Sequence, residues 1–245
     1  MRSNPANDLD SPWKEALDLF LQQFLAFFFP AIHAAVDWSR QYESLDKELQ
    51  KLDPDARVGK RLADKLFKVW LKDGQEAWLL IHIEVQGRRE KQFAERMFTY
   101  SYRIYDLYRK PVLSMAVLCD ADPAWKPDHF GYNMWGCELS LRFLVAKLVE
   151  YKGQEQQLEA DRNPFAAIVL AQLKAIETRQ SPSERKVWKL RLIKALYDRG
   201  LKREEMRQLF RLIDWMMRLP DELEAEFWQD IHHFEEERRM PYVTS

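Results

Sequence analysis

Arg61-Leu-Ala-Asp64-Lys-Leu-Phe-Lys-Val-Trp-Leu-Lys-Asp73-Gly74-Gln-Glu-Ala-Trp-Leu-Leu-Ile-His82-Ile-Glu84-Val-Gln86-Gly87 reads as a β-hairpin with an acid on each arm. Its second arm ends in alternation, so Ile81, Ile83 and Val85 face one way and His82, Glu84 and Gln86 the other. A glutamate on a strand otherwise built for burial costs free energy unless a positive group meets it. A divalent cation is the natural partner, and a second carboxylate completes its site. Asp73-Gly74 is a strong turn signal between two apolar runs. A two-residue loop sets Asp64 opposite Ile83, on the wrong face. A three-residue loop, Asp73-Gly74-Gln75, sets Lys72 opposite Glu76 and Asp64 opposite Glu84. Directly opposed residues have Cβ atoms about 4.5–5.5 Å apart, and two carboxylates that close repel unless a cation lies between them. Oxygen-rich sites of this kind suit Mg²⁺ or Mn²⁺ with phosphate oxygens as further ligands. The chemistry they permit is phosphodiester hydrolysis.

At these residues the chain resembles the PD-(D/E)XK nuclease superfamily. Within it, the chain resembles the bacterial Rpn family of recombination-promoting nucleases, which often carry a transposase label. The resemblance rests on Ala63-Asp64-Lys65-Leu66, Ile81-His-Ile-Glu84-Val-Gln86, Phe93-Ala-Glu-Arg96-Met-Phe-Thr-Tyr100 and Pro111-Val-Leu-Ser-Met-Ala-Val-Leu118. It extends through Asn163-Pro-Phe-Ala166, Ile213-Asp-Trp215 and Met240-Pro-Tyr242. It implies a restriction-endonuclease-like core, a central mixed sheet flanked by helices, with DNA as substrate and a link to recombination. The motif usually ends in lysine, and here Gln86 stands in that place. Gln orients a water but brings no positive charge, so the charge-stabilising role is unassigned.

Composition bounds the rest. The 245 residues are 47% hydrophobic, enough for a sizeable core, and the net charge of −1 does not mark the whole molecule as a polyanion binder. Charge is distributed unevenly, with a balance of +6 over 57–110 and again over 184–211, against eight acids and no base over 220–237. A basic segment around the candidate carboxylates suits a phosphate backbone, while 184–211 reads equally as solvated helix faces. The acidic final segment masks that basic face, binds a partner or, as is more common for such a helix, is itself solvated. Cys119 and Cys137 lack metal-ligand spacing and read as buried thiols of a reducing cytoplasm. No export signal is visible at the N-terminus, and the apolar stretch 24–32 is too short to span a bilayer. The expectation is therefore a cytoplasmic protein with no membrane partner.

The order of elements is an α/β pattern. A helix capped by Ser11 with Pro12 in its first turn is limited by Pro30. A second helix spans about 42–51, followed by the hairpin and a helix over about 90–108. A continuous apolar strand covers 111–119, and one or two strands lie in 130–145. Beyond about 150 the pattern becomes helical over 164–178, 183–199, 202–218 and 220–237. The expected organisation is a nuclease-like domain over 1–150 and a helical extension over 151–245, with a soft boundary at 151–162.

The candidate site is then Asp64 and Glu84 as metal ligands, with the carbonyl of Val85 and the amide of Gln86 placing metal and water. Arg96, or Lys65 or Lys68, would stabilise the phosphate charge. Arg96 reads equally as a structural bridge to a hairpin carboxylate, and Asp64 and Glu84 read also as acids paired with Lys65 or Lys68. His82 shares the Glu84 side and fits a hydrogen-bonded histidine near the core better than a ligand. Glu15 on the first helix is a further acidic candidate beside Asp10, Lys14 and Asp18. No Ser, Tyr or Cys lies in the motif, so cleavage would be hydrolytic, without a covalent intermediate. A double-strand break made with single metal sites favours a homodimer. The alternatives are a nuclease-like DNA- or protein-binding module that no longer cuts, and, ranked last for want of a clear third carboxylate, a true transposase.

Overall fold

The computed structural model describes residues 10–47, 63–84 and 91–238; the side chains of 10–12, 63–64 and 82–84 lie outside that description. The chain divides into two compact units. One takes in 28–150 and the other 15–27 with 151–245.

The first unit is built on a five-stranded mixed sheet in the order β1-β2-β3-β4-β7. Here β1 is Glu43–Ser44, β2 Ala63–Trp70, β3 Glu76–Glu84, β4 Val112–Leu118 and β7 Leu144–Lys147. The pairs β1/β2 and β2/β3 are antiparallel, while β3/β4 and β4/β7 are parallel. A helix, α3 (Phe93–Tyr108), makes the crossover from β3 to β4, as parallel neighbours require. It ends in a left-handed Arg109 (φ 51°) whose N–H bonds to the Tyr105 carbonyl. Earlier in the sequence come α1 (Asp10–Phe28), most of which belongs to the second unit, and α2 (Pro30–Ala35).

Helix α3 runs antiparallel to the strands beneath it. Its C-terminal half sets Tyr100 and Ile104 on Leu66, Trp78 and Leu80. Its N-terminal half sets Phe93 and Met97 on Ala116, Leu118 and Phe143. The opposite sheet face is apolar too, with Phe67, Val69, Leu79, Ile81, Met115 and Val117 all buried. The central strands are thus covered on both sides, which explains their unbroken apolar runs.

Between β4 and β7 the chain makes a separate hairpin, β5 (His129–Met134) and β6 (Cys137–Arg142). It is anchored on α3 by Phe130 stacked on Phe98, with centroids 5.1 Å apart. The turn residues Trp135 and Gly136 both have positive φ, 52° and 82°, as tight hairpin turns of the I′ kind demand. Asparagine is the usual first residue there; a bulky side chain in that region is strained. Trp135 is also 97% exposed.

The second unit is helical: α4 (Glu155–Ala160), α5 (Pro164–Glu177), α6 (Pro182–Tyr197), α7 (Arg203–Met216) and α8 (Asp221–Arg238). Helix α5 is buried almost all round. Asn163 caps it by accepting from the Phe165 N–H at 2.9 Å, and its own amide donates to the Gln23 carbonyl at 2.9 Å. Arg199 ties the preceding turn by donating to the carbonyls of Leu158 and Asn163, both at 3.1 Å.

Several expectations need correction. Glu43–Ser44 is not helical but pairs with Phe67 and Lys68, because the free edge of β2 offers backbone partners that a short helix would forgo. Helix α1 begins at Asp10, so Ser11 lies inside it instead of capping it; its end at Phe28 agrees with Pro30 as its limit, and Pro30 also opens α2. Cys119 is buried, but Cys137 is exposed beside the hairpin turn.

Replacing Trp135 by Asn should remove the turn strain without losing any burial. Trp135→Asn is expected to raise unfolding stability by up to about 1 kcal/mol in equilibrium urea denaturation. A loss of stability would show that the indole is packed after all.

Candidate active site

The turn joining β2 to β3 fixes the site. Leu71 N–H donates to the Gln75 carbonyl at 2.7 Å, Gly74 N–H to the Leu71 carbonyl at 2.9 Å, and Gln75 N–H to Asp73 Oδ1 at 2.9 Å. Gly74 sits at φ 86°. The loop therefore has three residues, Lys72-Asp73-Gly74, with the glycine in the left-handed position that such loops favour. It starts one residue earlier than the sequence suggested.

That displacement moves the pairing by two positions. Trp70 pairs with Glu76, and Asp64 pairs with His82 rather than with Glu84. An even displacement keeps the face, so positions 64, 82 and 84 still share one side of the sheet. They belong to the α3 side, since Leu66 and Leu80 in the same alternation pack beneath that helix. Asp64 and Glu84 are diagonal rather than direct neighbours, a separation of about 7–8 Å.

Glu84 pairs with Leu118 on β4, and Leu118 with Lys147 on β7. This row lies at the C-terminal ends of three parallel strands, where open α/β sheets place their ligands. Leu118 lies under Phe93 and Met97, so the first turns of α3 reach over the same row. Arg96 stands there, half-buried, with its guanidinium carbon 5.5 Å from the Phe93 ring centroid.

The other proposed residues are accounted for one by one. Val85 and Gln86 lie outside the described residues. Lys65 is buried on the opposite sheet face and forms an ion pair with Asp46. Lys68 is on the α3 side but bonds to Glu43 at 2.7 Å and covers the Trp70 ring at 4.9 Å. Lys65 is thus a structural cation of the opposite face, and Lys68 one of the half of the hairpin nearer its turn. Lys110 plays the same part there, since its hydrogen bond holds the Glu76 carboxyl below the usual carboxylate range against the opposing effect of burial. Glu15 is an exposed residue of α1 grouped with the helical unit. Among the residues whose side chains are described, no group of three or more His, Cys, Asp or Glu could hold a metal ion.

Three cations of the basic block over 184–211 are paired with carboxylates, while Lys202, Arg203 and Arg211 are exposed. Lys186 bonds to Glu226 at 2.8 Å and Asp230 at 3.0 Å, Lys189 to Asp214 at 2.7 Å and Glu224 at 2.8 Å, and Arg191 to Glu159 at 2.6 Å. The acidic helix α8 supplies three of these five carboxylates, so α6 does not offer those charges to DNA.

Sequence reading missed one pair beside the candidate row. Lys147, at the end of β7, is fully buried and forms an ion pair with Asp120, two residues past the end of β4 and 4% exposed. Asp120 Oδ1 also accepts from the Asp122 N–H at 2.9 Å, and the Lys147 ammonium lies 5.3 Å from the Trp125 ring centroid. The available signal was a charged residue closing each of two apolar strands, at 119–120 and 146–147.

Residues 45–115 match the family model described as "Putative transposase, YhgA-like". The chain is similar to that family across β2, β3, α3 and the start of β4, less than a third of its length. The match agrees with a role in DNA processing. No curated protein and no solved structure matches the chain. Among the described residues, no helix is long and apolar enough to cross a membrane.

The ion pairs between α6 and its neighbours carry a stability prediction. Asp214→Asn with Glu224→Gln leaves the buried Lys189 ammonium without a counter-charge and should lower stability by about 3–5 kcal/mol. Lys186→Ala, which breaks a partly exposed cluster, should cost under about 1 kcal/mol. Urea denaturation of the three proteins checks the contrast.

Proposed function

We propose that this chain is a metal-dependent DNA endonuclease of the PD-(D/E)XK type, with Asp64 and Glu84 holding Mg²⁺ or Mn²⁺. The observation that carries the reading is the register. Asp64 and Glu84 come from adjacent strands, share a sheet face and lie diagonally across one pair. Carboxylates at that spacing, with oxygen ligands at about 2.0–2.1 Å from the ion, have the reach to share one Mg²⁺. Their all-oxygen donor set suits a hard cation and not a thiophilic one. When bound, the cation neutralises charge on the phosphate and acidifies a coordinated water.

The chain's own residues supply the remainder. The carbonyl of Val85 adds an oxygen ligand, and the amide of Gln86 orients the attacking water. Arg96, on the turn of α3 above the row, is the bidentate donor for a phosphate oxygen. The N-terminal end of α3 adds a favourable potential for an anion. Lys65 and Lys68 are withdrawn from this role, because their carboxylate partners hold them elsewhere. DNA is the substrate suggested by the matching family's description. Two copies per cut duplex, in the cytoplasm, complete the reading.

A transposition-related activity is the second reading, favoured by that same description. The two diverge at the product, since strand transfer joins the cut end to a second DNA.

Purified protein with supercoiled plasmid and Mn²⁺ or Mg²⁺ should give nicked and linear DNA, with no joined product. Asp64→Ala and Glu84→Ala should each lower the rate by about a hundredfold or more and weaken Mn²⁺ binding in a calorimetric titration. Equal cleavage by all three proteins would falsify the assignment. Mn²⁺ affinity indifferent to Asp64, with no cleavage by the wild type, would leave a binding module instead.

A further inference from the structure

We infer that Lys147, oriented by Asp120, supplies the positive charge that Gln86 leaves missing from the nuclease site. The inference rests on the nuclease reading above and adds a residue that neither the hairpin motif nor the family match contains; the matched stretch ends at residue 115.

Placement comes first. Lys147, Leu118 and Glu84 form one row across β7, β4 and β3. Two strand spacings, about 9–10 Å, separate the outer positions. The row lies on the α3 side, because Ala116 and Leu118 pack under that helix together with Val145, the neighbour of Lys147 in alternation. Lys147 bonds to Asp120, which continues β4. The ammonium therefore leans from β7 over the end of β4, toward the strand that carries Glu84.

Burial comes second. Taking both charges of an ion pair out of water is rewarded only when further hydrogen bonds satisfy them. An ammonium has three donors. Among the described residues, that of Lys147 finds one carboxylate oxygen and one aromatic face, that of Trp125. Asp120 is better served, because the Asp122 N–H occupies its second oxygen. The arrangement fixes the carboxylate and leaves donor directions on the amine for an outside acceptor. In this inference that acceptor is a phosphate oxygen, reached through one ordered water. A lysine held by a carboxylate and aimed at phosphate oxygens is a recurring device of phosphoryl-transfer sites. In surroundings that exclude water its effect is stronger than at an exposed surface.

Stability alone gives no reason for the pair, since buried ion pairs are replaceable by apolar residues at little or no cost. This makes the test clean. Lys147→Met keeps the length and apolar stem of the side chain. It should lower kcat for plasmid cleavage by about 10²–10³-fold, as removal of one preorganised donor does, while Mn²⁺ affinity and the KM for DNA change little. Lys147→Arg should restore part of the rate. Lys147→Met leaves Asp120 uncompensated, so Lys147→Met with Asp120→Leu serves as the folding control: its melting temperature should match the wild type and its cleavage should stay low. A merely structural lysine would show the reverse, with normal cleavage in whichever variant folds. Cleavage by Lys147→Met, or by the double variant, within threefold of an Asp64-dependent wild-type rate overturns this inference and leaves the nuclease reading standing. A wild type that does not cleave overturns both.

Discussion

The three-residue loop Lys72-Asp73-Gly74 sets the register on which the first unit depends. Once Gly74 takes its left-handed conformation and Asp73 accepts from Gln75, Trp70 must oppose Glu76, and every pair down to Ala63 and Ile83 follows. A slip of one residue would carry Leu66 and Leu80 out from under α3 and turn Asp64 away from Glu84. Burial on both faces forbids that slip, because the apolar residues of each face have a separate core to fill. The same packing that stabilises the sheet thus sets positions 64 and 84 on one side of it.

The parallel half of the sheet adds the second constraint. A crossover helix between β3 and β4 must run back antiparallel to them, so its first turns lie over the strands' C-terminal ends. Phe93 and Met97 grip Leu118, and this brings Arg96 and the positive end of α3 to the row that begins at Glu84. Topology, rather than any single contact, gathers acid, cation and helix terminus in one place. The hairpin of β5 and β6 interrupts the path from β4 to β7 without disturbing the row, because it pairs only with itself and leans on α3 through Phe130.

Much of this was legible in the residues. The apolar run of β4, the period of α3 and the Asp-Gly turn each announce one element, and the C-terminal helices are bounded by visible Pro and Gly signals. The loop length was legible too, but its starting residue was not. Asp73-Gly74 fits either end of a three-residue loop, and only the backbone bond from Leu71 to Gln75 decides between them. The error was harmless to the face and harmful to the distance, exchanging a directly opposed pair for a diagonal one. Glu43–Ser44 as a strand was illegible for a different reason. A two-residue edge strand is created by its neighbour's unpaired backbone, not by its own side chains. The Asp120–Lys147 pair was hidden because its members are 27 residues apart in sequence and no local period links them.

Charge shows how far composition misleads when folded geometry is ignored. Part of the basic block over 184–211 is neutralised in space by the acidic stretch over 220–237, because α6 and α8 meet through Lys186 and Lys189. A surface built from those lysines would be nearly neutral to an approaching polyanion, since screened pairs project little field beyond a Debye length of about 8–10 Å. The +6 balance over 57–110 differs in kind. Lys65, Lys68 and Lys110 are consumed by Asp46, Glu43 and Glu76, all toward the hairpin's far end or the opposite face. Arg96 instead stands near the strand termini, where the buried Lys147–Asp120 pair also lies. Under the proposed function, a protein with net charge −1 would meet a phosphate at one spot without binding nucleic acid over its whole surface.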